Sequence, residues 1–321
     1  MRLASLSLDL DNQWTYMRTH GDAGWEAYPS YLDLVVPAVL HCLAERDLKI
    51  TFFIVGKDAA RQENRSALSS IVEAGHEIGN HSFWHEQWLH LYSPDQLDRE
   101  LAQAEDAILE ATGVRPEGFR GPGYSLSRAT LEVLIRRGYR YDASTFPTYL
   151  GPLARAYYFR TARLSAEEKE ERRKLFGTLR DGLRPVTPYR WRIDGGSLLE
   201  VPVTTLPIFK IPFHLSYLLY LGVYSHLAAK IYFWKALTLC RMLGVQPSLL
   251  LHPLDFLGGD DCTALAFFPA MRLSGEVKRR RAEEFLDMYR ARFDVVPMGQ
   301  HVEALERSGR LTERQTDFVD D

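Results

Sequence analysis

Asp9 and Asp11, one residue apart in "SLDLD", leave a strand from the same face. His81 and His85, four apart in "HSFWH", share a face if that segment turns helically. Arg120 precedes a Gly-Pro-Gly turn in "FRGPGYS", and His252 ends an apolar run in "SLLLHPLDF". Taken singly, each has an ordinary reading: solvated carboxylates, half-buried histidines among Phe83, Trp84 and Trp88, a structural arginine, a strand-edge imidazole. Taken together they could do hydrolytic chemistry. Two imidazoles and a carboxylate suit zinc or a similar divalent ion, with a position left open for water. A second carboxylate can take a proton, and a neighbouring guanidinium lowers its pKa. A further histidine can protonate a leaving group. Backbone N–H groups beyond Pro122 can face a substrate oxygen.

These residues need a scaffold that brings them to one place. Leu6, Leu8 and Leu10 alternate with Ser5, Ser7 and Asp9, which predicts a strand over 3–11. A helix follows through "YPSYLDLVVPAVLHCLAERDLKI", with Ser30 as its cap. "KITFFIVG" reads as the second strand, and "ALSSIVEAG" as a helix stopped by Gly75. The rhythm continues: a helix from Ser93 to Gly113, a strand end at "EGF", a helix in "SRATLEVLIRRG", then strands in "YRYDAS", "SLLEVPV", "PSLLLHP" and "FDVVPM", with a helix near 275–292. Alternating strands and helices predict a parallel sheet, closed or nearly closed into a barrel. In such a fold the loops at the strand C-termini build the site, and each of the four motifs sits at such an exit. The whole chain, 1–321, reads as a single domain. Insertions fall at about 12–29 (an aromatic loop), 150–195 (a charged helix and a Pro/Gly-rich stretch) and 206–244 (an apolar, aromatic segment).

The chain has 321 residues, 46% hydrophobic and 25% charged, with a formal net charge of -3. That is a globular composition without the basic surface of a nucleic-acid binder. Cys42, Cys240 and Cys262 are scattered and odd in number, which favours a reducing compartment over a disulfide framework. The N-terminal run is broken by serines and ends in aspartates, unlike a signal peptide, so a cytoplasmic location is the expectation.

As an ordered set, "SLDLD", "HSFWH", "RGPG" and "LLLHP" resemble the motifs of the polysaccharide deacetylases, the NodB-homology domain of carbohydrate esterase family four. "YDAS" and "LLEVPVT" resemble its weaker blocks. The resemblance implies a distorted (β/α)7 barrel and a hydrolase acting on carbon–nitrogen bonds other than peptide bonds. It also implies one divalent ion, zinc by expectation, held by Asp11, His81 and His85. Asp9 becomes the base, Arg120 its partner, His252 the general acid and Asp142 the residue that orients His252. Gly123, Tyr124 and Trp14 become substrate and oxyanion contacts. Many members carry two adjacent aspartates in the first block, whereas this chain has Asp9-Leu10-Asp11; the spacing of two points both carboxylates into the site.

The implied substrate is an N-acylated, chiefly N-acetylated, sugar: a glycan intermediate, sugar nucleotide or lipid-linked glycan. A cyclic-amide hydrolase resembling allantoinase, a glycan deformylase and, last, a non-catalytic glycan-binding protein are the alternatives on this scaffold. Residues 211–244 are too interrupted by His214, His226, Lys230 and Lys235 to span a membrane. They read as barrel-covering helices or as a peripheral membrane contact.

Overall fold

The computed structural model describes residues 2–153, 179–316 and 318. Its strands are β1 (Arg2–Leu10), β2 (Thr51–Ile54), β3 (Glu77–Asn80), β4 (Gly118–Phe119), β5 (Tyr141–Asp142), β6 (Tyr189–Ile193), β7 (Gly196–Glu200), β8 (Ser248–Leu251), β9 (Phe293–Val296) and β10 (Thr312–Gln315). They form one sheet in the order β10-β6-β7-β5-β4-β3-β2-β1-β8, with β9 also on β1. All ladders are parallel except β6 with β7.

The helices are α1 (Gln13–His20), α2 (Leu32–Ala44), α3 (Gly56–Ala59), α4 (Arg65–Glu73), α5 (Pro94–Thr112), α6 (Arg128–Arg136), α7 (Leu215–Tyr224), α8 (His226–Met242), α9 (Gly275–Arg290) and α10 (Met298–Ser308).

This is the expected α/β architecture. The strands β1, β2, β3, β4, β5, β7 and β8 run round a distorted barrel that no ladder closes between β7 and β8 among the described residues. Hydrogen bonds between Thr204 and Ser248, at 2.8 and 3.0 Å, span that seam. Strand β1 is central. Everything from Ala4 to Leu10 is buried, because both faces are covered. Leu6, Leu8 and Leu10 join a core with Val35, Val39, Leu237 and Phe285 from the surrounding helices. Ser7 and Asp9 face the other way, into a polar interior where Arg120 meets them. The alternation read from sequence is therefore polar inside the barrel rather than polar toward solvent.

Several local expectations change. The aromatic stretch after β1 is not a plain loop. Asn12 caps it, its side chain accepting from the Gln13 N–H, and α1 follows. Segment 206–244, by contrast, holds the two covering helices expected of it, α7 and α8, and no helix among the described residues is long and apolar enough to cross a membrane. The antiparallel strand β6 lies inside the stretch expected to be an insertion, and α10 and β10 extend the chain beyond the last predicted strand. The charged helix expected near 164–176 lies outside the described residues.

Candidate metal centre

Strand register sets the level of the site. Leu8 pairs with Leu251, so Asp9 and His252 follow side by side. Asn80 pairs with Phe119 and Phe119 with Asp142, so His81, Arg120 and Asp142 reach the same rim. Three of the predicted residues converge there on one point. His85 Nε2 lies 2.9 Å and His81 Nε2 3.4 Å from Asp11 Oδ1. The donor atoms of the three lie within 4.8 Å of one another, and all three residues are buried.

The expected helical turn of "HSFWH" does not form. Ser82 and His85 have φ of +60° and +52°, which breaks a right-handed helix. Side chains fix the loop instead. Asn80 Oδ1 accepts from the Ser82 N–H at 2.8 Å, and Ser82 Oγ from the His85 N–H at 3.1 Å. Glu100 Oε1, on α5, accepts from the N–H groups of Phe83 and Trp84 at 2.9 and 2.7 Å. Two left-handed residues cost about 1–3 kcal/mol each, a strain that persists only where surroundings over-determine it.

The donor set fits a divalent cation. His81 Nδ1 lies 2.7 Å from the Arg120 carbonyl, which takes an Nδ1–H and leaves the Nε2 lone pair for an ion. Asp11 Oδ1 is buried with no hydrogen-bond partner. Burial opposes ionising Asp11, yet His85 and His81 hold its carboxyl well below the usual range. Burial likewise opposes charging His81, and Asp9 and Asp11 overcome it and raise that imidazole. The pocket is built for positive charge.

Asp9 stands beside the three ligands. Its Oδ1 accepts from Arg120 Nη1 at 2.8 Å, while Oδ2 faces His81 Nε2 at 4.0 Å. Arg120 is fully buried. It also donates to Ser7 Oγ at 2.8 Å and to the Ala143 carbonyl at 3.0 Å, and its guanidinium lies 4.4 Å from the Phe53 ring centre. After it, Gly121 cannot be replaced without a shift, because a Cβ would sit 2.1 Å from the Ser125 carbonyl oxygen. Gly123 and Tyr124 both have positive φ, +59° and +63°, and the Tyr124 ring stacks on Phe146 at 4.6 Å.

Two expected roles are corrected. Asp142 does not hold His252. Its Oδ1 accepts from Ser144 Oγ at 2.6 Å, and Ser144 Oγ accepts from the Gly121 N–H at 2.8 Å. Asp142 thus anchors the Gly-Pro-Gly turn. It also abuts Glu200 on β7. Burial pushes both carboxyls up, and the neighbouring Asp142 carboxyl raises Glu200 further, well above its ordinary range. His252 is held from elsewhere: its Nδ1 lies 3.0 Å from Ser216 Oγ on α7, and its N–H donates to Asp255 Oδ2 at 2.8 Å. Beside them burial and then His252 push His214 down to about 3, which leaves it neutral.

Trp14 is the second correction. It is fully buried, and its Nε1–H donates to the Asp58 carboxyl at 3.0 and 3.1 Å. Its ring packs on Trp25 at 5.4 Å, so no face is left for a sugar. Of the contacts not foreseen, Asp255 had a signal, an acid three residues after His252 at the start of a turn. Ser7 shares the Asp9 face by period two. Ser216 and Ser144 had none.

Residues 22–141 match the family model described as polysaccharide deacetylase. A peptidoglycan deacetylase of Helicobacter pylori is 29% identical over 125 residues, 39% of this chain and 40% of that protein. A peptidoglycan-N-acetylglucosamine deacetylase of Listeria monocytogenes is 29% identical over 100 residues, 31% of this chain and 21% of the relative. The matches thus span less than half the length of these curated relatives. Among solved structures, a Mycobacterium smegmatis protein assigned as a polysaccharide deacetylase superposes with a TM-score of 0.61 at 21% identity, over 99% of this chain and 94% of the other. Puue allantoinase reaches 0.58 at 16% identity, over 97% and 92%. These two likenesses show the fold. The family match covers residues 22–141, a stretch that holds His81, His85 and Arg120 and is similar to the polysaccharide deacetylases.

Proposed function

We propose that this chain is a metal-dependent N-deacylase that removes an acyl group, chiefly acetyl, from the amine of an amino sugar. The observation that carries this reading is the meeting of Asp11, His81 and His85 at one buried point with Asp9, held by Arg120, beside it. A divalent ion bound there, zinc by preference for this donor set, would acidify water and polarise an acyl carbonyl. Asp9 Oδ2, the oxygen not bonded to Arg120, takes the proton of the attacking water. Arg120 fixes the rotamer of Asp9 through the other oxygen. The turn 121–124, anchored through Ser144 and Asp142, offers the backbone N–H of Gly123 to the carbonyl oxygen as it gains charge. His252 gives its proton to the departing nitrogen, since an amide anion is a very poor leaving group. Ser216, bonded to Nδ1, sets the direction of that imidazole.

Substrates to be tried are N-acetylated glycans such as peptidoglycan fragments, sugar nucleotides and lipid-linked sugars. The test is metal analysis followed by amine release. Purified protein should carry about one ion per chain, and H81A should carry none and release no amine. Turnover of allantoin in place of acetylated sugars would move the reading to the cyclic amides, and formyl over acetyl preference to a deformylase. A metal-free preparation of full activity would end it.

A further inference from the structure

Helix α8 is apolar on two opposite sides. Ala229, Phe233, Ala236, Leu237 and Cys240 bury one face against the core. Leu227, Ile231, Trp234 and Met242 project from the other, 68%, 46%, 48% and 76% exposed. At 100° per residue these four fall within roughly 80° of arc, opposite the buried set. Phe209, 61% exposed, extends the stripe: with Leu206 it shares a shallow apolar groove with Trp234 and Met242. A helix apolar on all sides is ordinarily buried all round. This one lacks cover on its second side among the described residues.

Charge identifies what would cover it. The chain holds 42 acidic residues, yet none lies between Glu200 and Asp255. Lys235 and Arg241 are exposed and border the apolar stripe on its two sides, with no ion pair among the described residues. Lys230, about 20° round the helix from Arg241, is instead paired with Glu284 at 2.8 Å. Aliphatic and indole side chains flanked by Lys235 and Arg241, with no carboxylate on the helix itself, suit the boundary between acyl chains and anionic headgroups.

We propose that this face docks the protein peripherally on an anionic lipid bilayer, with Leu227, Ile231 and Trp234 at the acyl boundary and Lys235 and Arg241 at lipid phosphates. Ser216, which holds His252, starts the adjoining helix α7, whose length is roughly 15 Å. No residue of the metal centre takes part in the docking, so its failure would leave the deacylase reading standing.

The test is co-sedimentation of the full-length, metal-loaded protein with phosphatidylcholine vesicles, with and without phosphatidylglycerol. Wild type should pellet with the anionic vesicles at low salt and be released by high salt. L227E/W234E should lower partitioning at least tenfold, with an unchanged circular dichroism spectrum and unchanged turnover of a soluble substrate. K235Q/R241Q, removing about fivefold of affinity per cation, should abolish the preference for anionic vesicles. Absence of binding to anionic vesicles at low salt, or equal binding by L227E/W234E, overturns the proposal. So does a wild-type dimer by light scattering that L227E/W234E converts to monomer, since the face would then be covered by a second copy.

Discussion

Replacing Arg120 by methionine should separate the role proposed for Asp9 from that proposed for Asp11, His81 and His85. The guanidinium is fully buried and donates to Asp9 Oδ1, Ser7 Oγ and the Ala143 carbonyl. R120M leaves the Asp9 carboxylate buried without its partner, and breaking a buried pair from one side costs about 3–5 kcal/mol. The stranded Ala143 carbonyl adds about 1–3 kcal/mol. The loss of stability should thus be about 4–8 kcal/mol, a large share of the 5–15 kcal/mol that ordinary domains have. At about 2 °C per kcal/mol for a chain of this size, Tm falls by about 8–16 °C. Metal content should be kept, because His81 Nδ1 is held by the Arg120 backbone carbonyl, which any side chain preserves. The D9A/R120M double variant removes both charges and should recover at least 2 kcal/mol relative to the sum of the single losses. Urea unfolding of the four proteins, with metal stoichiometry measured on each, checks this. Strictly additive costs, or a Tm for R120M within 2 °C of wild type, would refute the buried-pair argument. Loss of the ion in R120M would show that the guanidinium also supports the ligands.

Three further outcomes are expected. Burial pushes His301 down to about 4, and its neutral ring bonds Ser5 Oγ and Gln246 Oε1 at 3.0 and 2.9 Å. The unfolded chain takes up this proton below about 6.5, so His301 removes about 3 kcal/mol of stability as pH falls from 6.5 to 4, and H301Q should flatten that slope in pH-resolved unfolding. S216A, which loses one hydrogen bond to His252, should reduce kcat about three- to tenfold while sparing KM and metal content; an unchanged kcat would deny Ser216 its hold on His252. W14F, which loses the bond to Asp58, should cost about 1–3 kcal/mol in urea unfolding and leave KM unchanged, whereas a rise in KM would restore Trp14 to the substrate.

The strands that carry the site were legible because their signals are local. β1 reads as a strand from the alternation of Leu6, Leu8 and Leu10, and β8 from the apolar run ending at His252. Helix α5 was readable to its last turn, with Ser93 and Gln96 forming a capping box and Gly113 left-handed at its end. The loop at 81–88 was not. Its amino acids allow a helix, and only Asn80, Ser82 and Glu100 acting together impose the positive φ values. Strand β6 was missed for a similar reason: "YRWRI" is short and charged, and β7 and β10 on either side complete its pairing.

Residue type and spacing, with the family resemblance, put forward Asp9, Asp11, His81, His85, Arg120 and His252 as candidates, because metal binding and proton transfer admit few side chains. Which neighbour holds which group was decided by packing. Asp142 turned to Ser144 and the glycine turn, His252 to Ser216 across a helix far away in the chain, and Trp14 to a buried carboxyl. A one-dimensional pattern records which groups a strand end can offer. The partner each group takes depends on distances of about 3 Å between segments many residues apart, and those exist only once the sheet register and the covering helices are in place.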